Sequence, residues 1–200
     1  MKRLLLVRHG ESEWNAVRRL QGQADIGLSP EGEAQALALT PTIAQLAPDR
    51  VVASDLRRAR YTAELLGHSD AELDAGLREI NVGDWTGMPI ADIIAQDAEG
   101  YRGWRAGTFA PHGGEVWQDF ADRTTEATMR HFETADRLLV VCHGGVIRAL
   151  LQTILGLPPQ RIIPVGPASI TILASRPDET DMRLEVFNAT PGGLVIDAPD

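Results

Sequence analysis

The chain has 200 residues, of which 44% are hydrophobic and 24% charged, enough apolar material for one globular domain, 1–200, with a real core. Its net charge of −9 and pI near 5.0 argue against a nucleic acid or an anionic membrane as partner, so any anion it binds has to meet arginines concentrated locally. The single cysteine, Cys142, excludes an intrachain disulfide, and the four apolar residues between Arg3 and Arg8 are too few for a signal-peptide core or a membrane span, so a cytoplasmic location is expected.

In chain order, Arg3–Val7 reads as a strand, a nearly continuous apolar run of the kind buried on both faces. After a loop, Ser29 as N-cap and Pro30 at the first helical position open a helix running to Leu46. Arg50–Ala53 is a short strand, and Asp55–Leu66 a helix with Ala59, Ala63 and Leu66 on one face. Leu73–Gly83 holds a short strand and a turn, and Pro89–Gln96 a short helix. Tyr101–Gly114, with Trp104, Phe109 and Pro111 and ending in HGGE, reads as a loop long enough to be functional. Glu115–Thr134 is helical, Leu138–Cys142 a strand, and Val146–Leu155 a helix after the turn His143-Gly144-Gly145. Ser169–Ala174 and Arg183–Phe187 pair as a hairpin around Pro177-Asp178. Strands alternating with helices predict an α/β fold: a three-layer sandwich with a mostly parallel central sheet flanked by helices.

Two segments share one design, an apolar strand that ends directly in His-Gly: Arg8-His9-Gly10 and Cys142-His143-Gly144. Ligands of open parallel sheets bind at the carboxyl ends of the strands, so both histidines face one crevice if the two strands are neighbours. Glycine after each histidine allows close approach of the backbone to an anion. Cys142 points to the face opposite His143 as a small core residue. Arg57 and Arg60 flank Arg58 on a helix and cannot share its direction, which leaves them solvated. His68 and His131 fall outside every motif and are expected at the surface, while His112 stays open between a pocket-capping and a merely solvated role. No histidine–carboxylate spacing suggests a metal site, and no cofactor is implied.

The ordered set VRHGESEWN, RLQGQADIGLSPEG, ASDLRRARYTAELL, LREINVGDWTG, HGGE and VVCHGGVIRALL resembles the histidine phosphatase superfamily, the phosphoglycerate-mutase-like proteins, over nearly the whole chain. The resemblance implies that His9 attacks phosphorus and becomes a phosphohistidine. It implies that Arg8 and Arg58 grip the phosphoryl oxygens and that His143 donates to them. Glu79 matches the family's proton donor, and Asn15, Gln21, Gly22 and Gly144 are implied in substrate binding. These residue types suit the chemistry: a guanidinium spans two oxygens, and an alkoxide leaves readily only when protonated.

Within the family the region between Gly87 and Gly114 is short and carries only Arg102 and Arg105 as basic residues, which favours a phosphatase over a phosphoglycerate mutase. The segments SDLRRA, GDW, APHGGE and RLEVFNA are similar to those of glucosyl-3-phosphoglycerate phosphatases and broad-specificity relatives. The expected partner is a small phosphorylated metabolite, with a homodimer open. A non-catalytic phosphate-binding regulator is the alternative of another class, although the histidine and the acid are both retained.

Overall fold

The structure, a computed structural model, describes residues 1–176 and 181–192. Its elements are β1 (Arg3–Arg8), α1 (Glu13–Ala16), α2 (Pro30–Leu46), β2 (Arg50–Ala53), α3 (Arg57–Leu65), β3 (Glu72–Leu73), α4 (Ile90–Gln96), α5 (Ala98–Ala106), α6 (Trp117–Phe132), β4 (Arg137–Cys142), α7 (Gly144–Leu155), β5 (Ile170–Ala174) and β6 (Arg183–Ala189). The six strands form one sheet in the order β3-β2-β4-β1-β5-β6. Pairing is parallel from β3 to β1 and antiparallel across β1–β5 and β5–β6. The tip of the expected hairpin, Pro177-Asp178, lies outside the described residues, while its two strands pair as antiparallel neighbours.

The two-residue period of the strands divides the core in two. Leu4, Leu6, Leu138 and Val140 pack with Phe120, Ala121, Ile147 and Leu150 of α6 and α7. Leu5, Val7, Leu139 and Val141 pack with Leu39 and Ile43 of α2 and Ala59 and Ala63 of α3. This is the expected sandwich of helices on both faces. Cys142 is fully buried on the α6–α7 side, where burial raises its thiol pKa far above the usual value.

Two expectations are corrected. Tyr101–Ala106 is not loop but the greater part of α5: the Asp97 side chain caps the helix by accepting from Gly100 N, and Gly107 ends it at φ 75°. Its aromatic stripe packs Tyr101 and Trp104 against Trp85, with ring centroids 6.4 and 6.1 Å from that of Trp85. His131 is buried, not at the surface, because the turn after β3 presents Asp74 to α6; the ring Nε2 stands 2.8 Å from Asp74 Oδ2. Among the described residues no helix is long and apolar enough to cross a membrane.

Candidate active site

Three neighbouring parallel strands end together and supply the floor of a cleft. β1 and β4 are in register as Arg8↔Cys142, and His9 N continues the ladder to Cys142 O at 3.0 Å. His9 and His143 therefore come together from 134 positions apart, with ring centroids 5.1 Å apart and edge to face. Ser54, at the end of β2, completes the row with its Oγ 2.9 Å from His143 Nε2.

The His9 ring is fixed by complementary partners. Its Nδ1 lies 2.6 Å from Gly10 O, which can only accept, so Nδ1 carries the proton. Nε2 then holds a lone pair, and Arg58 Nε donates to it at 3.2 Å. Burial, and next the positive charges of Arg58 and Arg8, hold the His9 pKa well below its ordinary value, so the imidazole is neutral at pH 7. His143 is likewise buried and depressed, first by desolvation and then by Arg58. Its Nδ1 is a buried nitrogen without a hydrogen-bond partner.

Arg58 is anchored as well as buried. Its Nη1 donates to Ala24 O at 2.7 Å and its Nη2 to Gly22 O at 2.8 Å, so the loop before α2 grips the guanidinium on one side. The same loop binds the start of α3, where Arg57 N donates to Asp25 Oδ1 at 2.6 Å. Burial lowers the Arg58 pKa to about 10, which leaves it cationic at neutral pH. Arg8 lines the cleft and donates through Nη1 to Val165 O.

The loop carrying His9 is braced by α2. A Cβ on Gly10 would overlap Gly32 O, and one on Gly32 would overlap Glu11 O, so both close approaches exclude a side chain. Ser29 Oγ donates to Glu11 Oε1 at 2.7 Å while accepting from Gly32 N at 3.0 Å. Gly10 N is held by Thr62 Oγ1 at 3.1 Å.

Glu79 lines the same cleft as His9. Its carboxylate accepts from Ile80 N at 2.8 Å and from Gly145 N, in the first turn of α7, at 3.0 Å. The segment that carries it is tied down by Arg123, which donates to Gly76 O, Arg78 O and both oxygens of Glu115 at 2.8–3.2 Å. Glu115 is therefore occupied in bracing.

The cleft encloses about 670 Å³ including its open mouth. Arg8, His9, Asn15, Gln21, Arg58, Glu79 and Gly144 line it. His143 stands behind His9 and is not on the cleft wall, and neither is Gly22, whose carbonyl instead holds Arg58. Gln21 Oε1 accepts from Ser12 Oγ at 2.7 Å, so what its amide can offer a ligand is the Nε2 donor pair. His112 is exposed beside Asp84, 3.0 Å away, and does not reach the cleft. Trp104 is core and cleft wall at once.

Sequence reasoning missed Ser54, Thr62 and Arg148. Ser54 carries the signal already used for the histidines, a polar residue directly after an apolar strand. Arg148 lies four residues after Gly144, on the same helical face. No group of three or more metal-ligating side chains is found among the described residues.

The chain is similar to known proteins over most of its length. The family model of the histidine phosphatase superfamily, branch 1, matches residues 4–190. A glucosyl-3-phosphoglycerate phosphatase of Mycobacterium tuberculosis is 38% identical, with 94% of this chain and 95% of the relative covered. A probable phosphoglycerate mutase of Salmonella paratyphi C is 37% identical, with 79% and 77% covered. The solved structure of a mycobacterial glucosyl-3-phosphoglycerate phosphatase with VO3 superposes with a TM-score of 0.85 at 36% identity, covering 95% of this chain and 100% of that one. A match that spans every strand and helix bearing on the cleft leaves one assignment: the chain belongs to the histidine phosphatase superfamily, branch 1.

Proposed function

We propose that the protein hydrolyses the phosphomonoester of a small phosphorylated metabolite through a phosphohistidine on His9, with glucosyl-3-phosphoglycerate as the substrate. The substrate is drawn from relatives named for it at 38% and 36% identity. The observation that carries the chemistry is the His9 ring, neutral, with Nδ1 bonded to Gly10 O and the Nε2 lone pair turned to Arg58 in an arginine-lined cleft.

In the first step Nε2 bonds to phosphorus and the ester P–O bond breaks, while Glu79 passes its proton to the departing alkoxide. The Nδ1–H stays on Gly10 O and spreads the positive charge that develops on the ring. Arg8 and Arg58 neutralise the equatorial oxygens, while His143, held by Ser54, packs edge to face on the ring of His9. Gly144 N and the Asn15 and Gln21 amides add neutral donors. In the second step water enters, Glu79 takes its proton, the O–P bond forms and the N–P bond breaks.

Replacing His9 with Ala tests this reading. Phosphate release should vanish with the fold retained, and wild-type protein trapped in turnover should carry acid-labile, base-stable phosphate. Scoring phosphate release and phosphoglycerate isomerisation together separates hydrolase from mutase. Label recovered on serine, or full activity in His9→Ala, would sink it.

A further inference from the structure

The segment that carries Glu79 has little regular structure of its own. Between β3 and α4 it makes two 3₁₀ turns, Ala75–Leu77 and Gly83–Trp85, and Glu79 lies between them in neither strand nor helix. Leu77 and Ile80 seat this stretch in the core, but apolar packing is non-directional and does not aim a carboxylate. Hydrogen bonds aim the backbone, and α6 supplies them directly before Glu79 and, through Glu115, after it.

Arg123 of α6 is the hub. Its Nη1 donates to Gly76 O at 2.8 Å and to Arg78 O at 3.2 Å, immediately before Glu79. Its Nε and Nη2 donate to Glu115 Oε1 and Oε2, each at 2.9 Å. Glu115 returns to the same segment beyond Glu79: its Oε2 accepts from Asn81 N at 3.2 Å, and its N donates to Asn81 O at 2.8 Å. One guanidinium thus brackets the acid, holding the residue before it directly and the second residue after it through Glu115. The guanidinium is itself seated on Phe120, 5.2 Å from the ring centroid. A second anchor from α6 holds the start of the segment, where Asp74 accepts from Arg130 Nη2 at 2.6 Å and caps the first turn by accepting from Gly76 N at 2.8 Å. Neither Arg123 nor Glu115 lines the cleft, so their route to the reaction runs through the segment they hold.

We infer that Arg123 and Glu115 are positioning residues for the proton donor, a clamp outside the cleft that keeps the Glu79 carboxyl aimed at the leaving oxygen. The inference rests on the reading of Glu79 as general acid and extends it to two side chains that touch no substrate. A lysine ammonium in place of Arg123 cannot span two carboxylate oxygens and two carbonyls at once. With the clamp loosened, the carboxyl is still present but out of place, so the loss falls on esters whose leaving group needs a proton.

The test compares phenyl phosphate with p-nitrophenyl phosphate, which share a ring and differ in the basicity of the leaving group. Single-turnover release of each phenol follows the formation of phosphohistidine alone. In Arg123→Lys, cleavage of phenyl phosphate should slow roughly 10–10²-fold and that of p-nitrophenyl phosphate far less. In a Glu79→Gln background the same substitution should cost little further, because the group it aims is gone. Glu115→Gln should reproduce the pattern more weakly, and it carries the test should Arg123→Lys lose its helical circular dichroism. Equal losses on the two esters, or an undiminished loss in the Glu79→Gln background, overturn the inference and leave Arg123 a purely structural residue. Should Glu79→Gln itself leave the ratio of the two rates unchanged, the proton-donor reading fails and the positioning role falls with it.

Discussion

In the proposed mechanism Glu79 protonates the leaving oxygen; it lines the cleft with His9 and is held by the backbone N–H groups of Ile80 and Gly145. A general acid matters most when the leaving group is most basic. In Glu79→Gln, cleavage of an alkyl phosphate should therefore slow by about 10²–10⁴. Formation of phosphohistidine from p-nitrophenyl phosphate, followed as a burst of nitrophenol, should slow far less. The same loss in that first step for both substrates would assign Glu79 to phosphate positioning. The other carboxylates nearby are engaged otherwise: Glu11 accepts from Ser29, and Glu115 is clamped by Arg123. Glu79 is thus the acid whose replacement should show a leaving-group-dependent penalty.

At the level of elements, the start of α7 controls how that acid is held. A Cβ on Gly145 would overlap Glu79 Oε1, the far end of a flexible side chain, whereas one on Gly144 would meet Arg8 at an ordinary 3.8 Å. Gly145→Ala should thus displace the carboxylate and leave the helix, in which alanine is favoured, as stable as before or more so. The expected result is an unchanged or raised Tm with the leaving-group signature of Glu79→Gln, and Gly144→Ala should lack that signature. A lowered Tm with uniform loss of activity would mean that the helix itself had moved. The same elements show what was legible in the sequence. Ser29 and Pro30 mark the start of α2 because capping is local, and Arg50–Ala53 matches β2 because an apolar run needs no distant partner. The two His-Gly strand ends were readable for that reason. α5 was hidden because Gly100 and Gly103 interrupt its aromatic stripe, and only packing on Trp85 reveals its period. His131, Ser54 and Arg148 depend on partners from other elements, Asp74, His143 and Trp117, which no local pattern announces.

For the molecule as a whole, building a cationic cleft into an acidic protein should appear in its response to acid. His9 and His143 are buried beside Arg8 and Arg58, and both have pKa values held well below 6.5, first by burial and then by those charges. In the unfolded chain each titrates near 6.5. As pH falls through that value the unfolded state takes up two protons that the native state refuses, so stability declines with falling pH. Between pH 7 and 5.5 the loss should be about 1 kcal/mol per histidine and about 2 kcal/mol in all, a lowering of Tm by roughly 4–8 °C. Carboxylates with depressed values, such as Asp55 and Asp74, act in the same direction, but only as pH approaches the carboxylate range, so this window isolates the histidines. Melting curves in phosphate-free buffer should show the decline in the wild type. His9→Asn and His143→Asn should each remove about half of the slope, whatever they do to absolute stability. A flat wild-type profile between pH 7 and 5.5, or variants running parallel to it, would show that the two imidazoles are not held neutral by the fold. A neutral Nε2 could then no longer be taken as the resting state from which His9 attacks.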